Sequence, residues 1–354
     1  MNESQASGKF RVALTADFYG PDGSPKYQDL GLGVFQADAR IEHFPFAEHR
    51  PAVAPEQIDG AQGVIVLTPS VSAKSVSKAD DLLAVGRFGV GYDAVDVTAC
   101  TEADVLVFIT AGAVDYSVAE ATITWMLALT HHVCAKHALV REGRWNDRSL
   151  YMGSELRDRT LGVIGLGGIG RKLVQLLAGF GMTPPLAFDP YLDPEIAQSL
   201  GIRLVGLDDL LAQADFVSVN CPLTEQTRGL IGSRELALMK PSAYLINTAR
   251  GGIVDEDALM DVLRRKKIAG AGIDVFAEEP VTRPHRFGEL DNVLLAPHCI
   301  AWTEELFRDI GLSACRGMLD LAHGRLPRGV VNPQVLERPG FQRKWERLRL
   351  SNPT

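Results

Sequence analysis

The chain has 354 residues, 46% hydrophobic and 23% charged, with a formal net charge of −8. That length suggests about two domains of ordinary globular composition. The acidic balance offers no basic face for nucleic acid, and the longest apolar stretches fall well short of the ~20 residues that span a bilayer, so neither partner is expected.

The opening segment, Met1 to Lys9, is polar and lacks the apolar run of a signal peptide. Short apolar runs then predict strands at Phe10–Thr15, Gly63–Leu67, Leu82–Phe88 and Val105–Ile109. Ser117 to Glu142 predicts one long helix, greasy enough to have more than one packing partner. A second strand series follows at Leu161–Ile164, Leu186–Phe188, Phe216–Val219, Tyr244–Ile246, Gly272–Val275 and Val293–Leu295. Six strands with intervening helices suit the two halves of a dinucleotide-binding sheet. A helix is predicted from about Thr303 to His323, closed by Gly324 and Pro327. The tail after Val331 is polar and reads as a loosely packed extension. These elements predict a nucleotide-binding domain over 115–301, inserted into a smaller α/β domain built from 1–114 and 302–354.

The strand Leu161–Ile164 runs into Gly165-Leu166-Gly167-Gly168-Ile169-Gly170, and a helical pattern follows. A glycine triplet alone is a weak signal, but strand and helix around it strengthen it. Glycines there allow a tight turn and let the backbone approach a pyrophosphate seated on the helix N-terminus. Asp189 lies nineteen residues beyond Gly170, at the end of the next strand. A carboxylate at that point accepts from the adenosine ribose hydroxyls and repels a 2′-phosphate, which favours NAD over NADP.

Arg250, Glu279 and His298 each follow a later strand of the same series. Singly, each reads as a surface or structural residue. Together at strand ends they form a set suited to carbonyl reduction: a fixed cationic fork, an acid and a proton carrier.

The motifs Gly165 to Gly170, Val219 to Thr224, Asn247 to Gly252, Asp274 to Phe276 with Glu279-Pro280, and Ala296-Pro297-His298 occur in one order. With Val85 to Asp93 they resemble the D-isomer-specific 2-hydroxyacid dehydrogenase family. The resemblance implies a Rossmann-type NAD-binding domain inserted into a smaller flavodoxin-like α/β substrate domain. It implies hydride transfer between nicotinamide and C2 of a D-2-hydroxy or 2-oxo acid. His298 would then serve as general acid and base, Glu279 (which directly precedes the proline, unlike Glu278) would orient it, and Arg250 would hold the substrate carboxylate. Backbone N–H groups of Val90 and Gly91 would hold its other side. Asp274 would bond the nicotinamide carboxamide, with Asn247 and Thr248 near its ribose. Cys221, Pro222 and Thr227 would lie on the adenosine side, and His298 and Ala301 would also touch the cofactor. The family's usual assembly implies a homodimer through the nucleotide domain.

Some features depart from the family or compete with this reading. Cys299-Ile300-Ala301-Trp302-Thr303 replaces the small residues usual there, and Trp302 either narrows the pocket or packs the domain junction. The loop Leu67 to Ala73 has no cation where phosphoglycerate-type relatives place one, so an unphosphorylated or small hydroxyl-bearing acid is expected. His131, His132, Cys134 and His137 lack the i, i+4 histidine pair of a helical zinc motif, and no metal is expected. Five scattered cysteines without a Cys-x-x-Cys pair suggest a reduced, cytoplasmic protein. The rival to an enzyme is an NAD(H)-sensing, corepressor-like binding protein that keeps the same residues.

Overall fold

The computed structural model describes residues 8–351, which form two compact units. One comprises the chain up to Val114 together with the chain from Thr303, and the other runs from Asp115 to Trp302. The polar start expected over Met1 to Lys9 lies mostly outside the described residues.

In the first unit, Phe10–Leu14 (β1), Ile41–Pro45 (β2), Gly63–Val66 (β3), Ala84–Arg87 (β4) and Leu106–Ile109 (β5) form a parallel sheet. Its order is β2-β1-β3-β4-β5, the flavodoxin-like winding, which reverses between β1 and β3. The buried strands read as continuous apolar runs in the sequence. β2 escaped that pattern: it is an edge strand paired only with β1, only its first residue Ile41 is buried, and it ends in Pro45. Helix Glu304–Ala322 packs across this sheet, capped at its start by the Thr303 hydroxyl, which accepts from Leu306 N at 3.0 Å.

The tail is not the loose extension that its polarity suggests. Asn332 is fully buried: its Oδ1 accepts from Val107 N (2.7 Å), and its Nδ2 donates to Val105 O (3.0 Å) and the Thr101 hydroxyl (2.8 Å). Helix Pro339–Ser351 buries Phe341 completely. The Lys344 ammonium donates to the carbonyls of Ala79 (2.7 Å) and Ala103 (2.9 Å), so a charged residue supplies the closing contacts.

The second unit carries seven parallel strands: Leu161–Ile164 (β6), Leu186–Phe188 (β7), Arg203–Leu204 (β8), Phe216–Val219 (β9), Tyr244–Asn247 (β10), Gly270–Ile273 (β11) and Val293–Leu295 (β12). Their order, β12-β11-β10-β9-β6-β7-β8, reverses between β6 and β9. The two-residue edge strand β8 is too short to show a sequence pattern. β11 starts two residues earlier than expected, because its glycines hide the strand from an apolar-run reading. At Gly272 the Trp125 ring comes so close that an added Cβ would meet it at 2.5 Å.

The long helix expected over Ser117–Glu142 is two helices, Asp115–Thr130 and Val133–Arg141. The carbonyl of Thr130, which a continuing helix would use, accepts instead from Ser154 N at 3.0 Å. His132 then turns through the left-handed region with φ 52°. Among the described residues, no helix is long and apolar enough to cross a membrane, and no cluster of three His, Cys, Asp or Glu could hold a metal ion.

Candidate functional site

Parallel strands send every following loop to the same sheet edge, so the segments after β6, β7, β9, β10, β11 and β12 share one end of the second unit. The glycine turn follows β6, at the point where strand order reverses. Gly165 adopts φ 91°, and a Cβ there would strike the Cys221 backbone at 2.8 Å. Gly168 and Gly170 are equally tight, against the Asp115 carboxylate and the Gly165 carbonyl. Gly167 differs, because a Cβ on it would meet nothing within 4 Å. The turn is therefore packed hard on the protein side and open where helix Gly168–Leu177 begins at Gly168, Ile169 and Gly170. Open backbone before helical N–H groups fits a pyrophosphate.

Asp189 follows β7 and is tied to this turn. Its Oδ2 accepts from Leu166 N at 2.9 Å and its Oδ1 from Tyr191 N at 3.0 Å, which leaves each oxygen further acceptor capacity for a ribose hydroxyl.

The second half of the sheet presents the charged set. Asn247, buried at the end of β10, donates to Arg250 O (3.0 Å) and accepts from Ala249 N (3.1 Å), which holds the turn bearing Arg250. Gly251 lets that turn press on the next loop, since a Cβ there would collide with the Phe276 carbonyl. Glu279 sits on that loop: Oε1 accepts from Phe276 N at 2.9 Å, and Oε2 lies 2.8 Å from His298 Nδ1. Burial pushes the Glu279 carboxyl up. The His298 and Phe276 hydrogen bonds and the charges of His298 and Arg250 outweigh it, so the group lies below its usual range. His298 itself holds φ 55°, with its N–H donating to Asp274 O at 2.8 Å. Its Nε2 has no protein hydrogen bond among the described residues. One imidazole nitrogen is thus fixed by a carboxylate while the other remains for chemistry.

Asp274 follows β11 and is almost fully buried. Its Oδ1 accepts from Cys299 N (2.9 Å) and Ile300 N (3.2 Å), and burial pushes its carboxyl up to about 6 despite those donors. Thr248 meets the Thr122 hydroxyl at 3.4 Å, and Ala301 is buried in the segment after β12. Cys221 and Pro222 follow β9. The Thr227 hydroxyl is spent inside that loop, donating to Pro222 O (2.6 Å) and accepting from Thr224 N (2.7 Å). Two further residues of this edge were not singled out as site residues: Asp115, beside Gly168, and Asn220, which lies within the Val219–Thr224 motif and whose buried Oδ1 lacks a hydrogen-bond partner among the described residues.

Val90 and Gly91 belong to the first unit, half-buried in the loop after β4 at the corresponding edge of its own sheet. Trp302 is about half exposed.

Residues 123–299 match the family model described as D-isomer specific 2-hydroxyacid dehydrogenase, NAD binding domain. The glyoxylate reductase of Thermococcus litoralis is 35% identical over 279 residues, covering 77% of this chain and 84% of that protein. The chain belongs to the D-isomer specific 2-hydroxyacid dehydrogenase family. D-3-phosphoglycerate dehydrogenase of Methanocaldococcus jannaschii is 40% identical over 279 residues, 78% of this chain but 53% of the relative. This chain thus spans about half the length of that relative. The fold agrees with the solved glyoxylate reductase of Paecilomyes thermophila, with TM-score 0.76, 27% identity and coverage of 92% and 99%. The matched NAD-binding domain contains the glycine turn, Asp189, Arg250, Asp274, Glu279 and His298, while Ala301 falls just past it.

Proposed function

We propose that this chain is an NAD-dependent dehydrogenase interconverting D-2-hydroxy acids and 2-oxo acids, with His298 as its proton carrier. The observation that carries the reading is the 2.8 Å pairing of His298 Nδ1 with Glu279 Oε2, within the electrostatic reach of Arg250. Bound NAD supplies hydride exchange at the substrate's C2. The glycine turn with Asp189 on the adenosine side, and Asp274 and Thr248 on the nicotinamide side, hold that cofactor in this reading, as do Cys221, Pro222, Thr227 and Ala301.

Glu279 keeps the Nδ1 side of His298 protonated, which points the catalytic proton to Nε2. In reduction Nε2 donates that proton to the oxygen on C2, and in oxidation it takes it back. Arg250 offers a planar fork of donors suited to a substrate carboxylate. The backbone N–H groups of Val90 and Gly91 are proposed as further donors to a carboxylate. An unphosphorylated acid is favoured, because the Leu67–Ala73 loop has no cation and Thr68 spends its N–H and hydroxyl on Asp17 Oδ2.

Assembly as a homodimer is supported by exposed apolar side chains at Val133, Val140, Trp145, Leu150 and Met152, and light scattering would measure it. A cytoplasmic location is supported by five cysteines that are all free thiols. The deciding assay follows NADH absorbance with a panel of small 2-oxo acids. Turnover is expected with at least one unphosphorylated member. Tight NADH binding with no turnover of any acid would instead favour a cofactor-sensing role.

A further inference from the structure

The loop that carries Glu279 has little regular structure to hold it. Ala277 to Pro284 are all exposed, between buried Phe276 and the short helical turn that buries Phe287. Among the described residues, no N–H of this stretch donates to a backbone carbonyl. Exposed backbone with so few contacts opens readily, and a carboxylate carried on it moves with it.

One side chain meets both ends of the loop. Glu256 is the first residue of helix Glu256–Arg264, and its side chain is only 17% exposed. Its Oε1 accepts from Ala277 N at 2.7 Å, where the loop starts. Its Oε2 lies 3.4 Å from His285 Nε2, where the loop ends, and 3.7 Å from the Arg286 guanidinium. His285 is oriented for this contact: its Nδ1 accepts from Phe287 N at 3.4 Å, which leaves the proton on Nε2, facing Glu256. The imidazole also packs on the rings of Phe276 and Phe287, with both centroid distances 4.8 Å.

The anchored end adjoins the acid of the proton-carrier pair. Phe276 N, next to Ala277 N, is the donor that fixes Glu279 Oε1, so two successive N–H groups are each held by a glutamate. An acid in the first turn of a helix suits the dipole by itself, but that role needs no contact with a distant loop.

We propose that Glu256 is a positioning residue for the proton-carrier pair: by tying together both ends of the Ala277–Pro284 loop it fixes Glu279, and through Glu279 the ring of His298. The inference rests on the dehydrogenase reading above and adds to it a residue on which proton transfer depends indirectly.

The test is a double-mutant cycle on the full chain, following NADH oxidation with a 2-oxo acid that the wild type reduces. Glu256→Ala is expected to lower kcat by about tenfold with NADH affinity retained, and to move the alkaline limb of the pH profile to lower pH. The charged groups nearest the pair, Asp274 and Arg250, are present in every variant, so a moved limb reports Glu279. Glu256→Gln keeps an oxygen for Ala277 N and loses the charge facing His285, so its kcat should fall between the wild type and Glu256→Ala. In a Glu279→Ala background, Glu256→Ala is expected to cost less than about twofold further, because the residue it acts through is gone. An equal loss in both backgrounds, or an unmoved limb in Glu256→Ala, overturns the proposal. Amide hydrogen exchange reads the same device without turnover. Glu256→Ala should speed exchange at Phe276 by about tenfold and leave Val217, in the middle of the sheet, unchanged. Unchanged exchange at Phe276, or equal acceleration at Val217, overturns the positioning role. Faster exchange confined to Phe276, in a chain that reduces no 2-oxo acid, refutes the dehydrogenase reading alone.

Discussion

His298 Nδ1 and Glu279 Oε2 lie 2.8 Å apart although the two residues come from different loops of the sheet edge. Glu279 is held at its other oxygen by Phe276 N, so the carboxylate is fixed before it meets the imidazole. In the proposed reaction the pair would act as an acid–base unit whose geometry is already in place.

Replacing Glu279 by Gln tests what the charge does. The Glu279 carboxyl lies below its ordinary range because hydrogen bonds and positive charge outweigh burial. The ionised form therefore persists through neutral pH and is lost only as pH falls through the lowered value. Glutamine keeps the shape and cannot carry the charge. Reduction of a 2-oxo acid by Glu279→Gln is expected to slow by about 10–100-fold, with the alkaline limb of its pH profile moved to lower pH. An unmoved profile would make Glu279 a purely steric support.

Asp189 has two duties that one substitution separates. It braces the glycine turn through Leu166 N, and it stands where the ribose hydroxyls are expected. Asp189→Ala should weaken NAD binding and raise the use of NADP relative to NAD, measured as the ratio of their kcat/KM values. A lower NAD affinity with no change in that ratio would leave only the bracing role.

Much of this was legible in the sequence because the candidate site sits at strand ends, and buried parallel strands are apolar runs. The turn at Gly165, the positions of Arg250 and His298, and the helix after Thr303 all follow from local pattern. What stayed hidden depends on distant contacts. The helix ends at Thr130 because Ser154 N claims its carbonyl, and no local residue announces that. The burial of Asn332 is set by Val105 and Val107, so its polarity read as a loose tail. Asp17 became visible only when Thr68 folded onto it.

Asp274 gives the fold a pH dependence. Burial raises its carboxyl to about 6, above the ordinary value of 3.8. Between those values the folded state binds more proton than the unfolded state, so this group's contribution to stability is full below 3.8 and is lost as pH rises through 6. The loss is on the order of 2–3 kcal/mol. Asp274→Asn lacks this term, so its stability relative to wild type should improve from pH ~4 to pH ~7 in urea unfolding. An equal difference at both pH values would contradict the shift.

Asn332 anchors the tail to the first unit. Asn332→Ala leaves Val107 N–H and Val105 C=O without their buried partner and should cost about 2–4 kcal/mol in urea unfolding. A change within about 0.5 kcal/mol, the usual range for a surface substitution, would return the tail to the status of an appendage.

In the proposed reaction His298 moves the proton. The most direct measurement is single-turnover oxidation of NADH with a 2-oxo acid that the wild type reduces, made on His298→Asn after its NADH affinity has been checked. A rate lowered by about 10²–10⁴-fold with NADH affinity retained is the expected result. Wild-type turnover by His298→Asn would rule out His298 as the proton carrier.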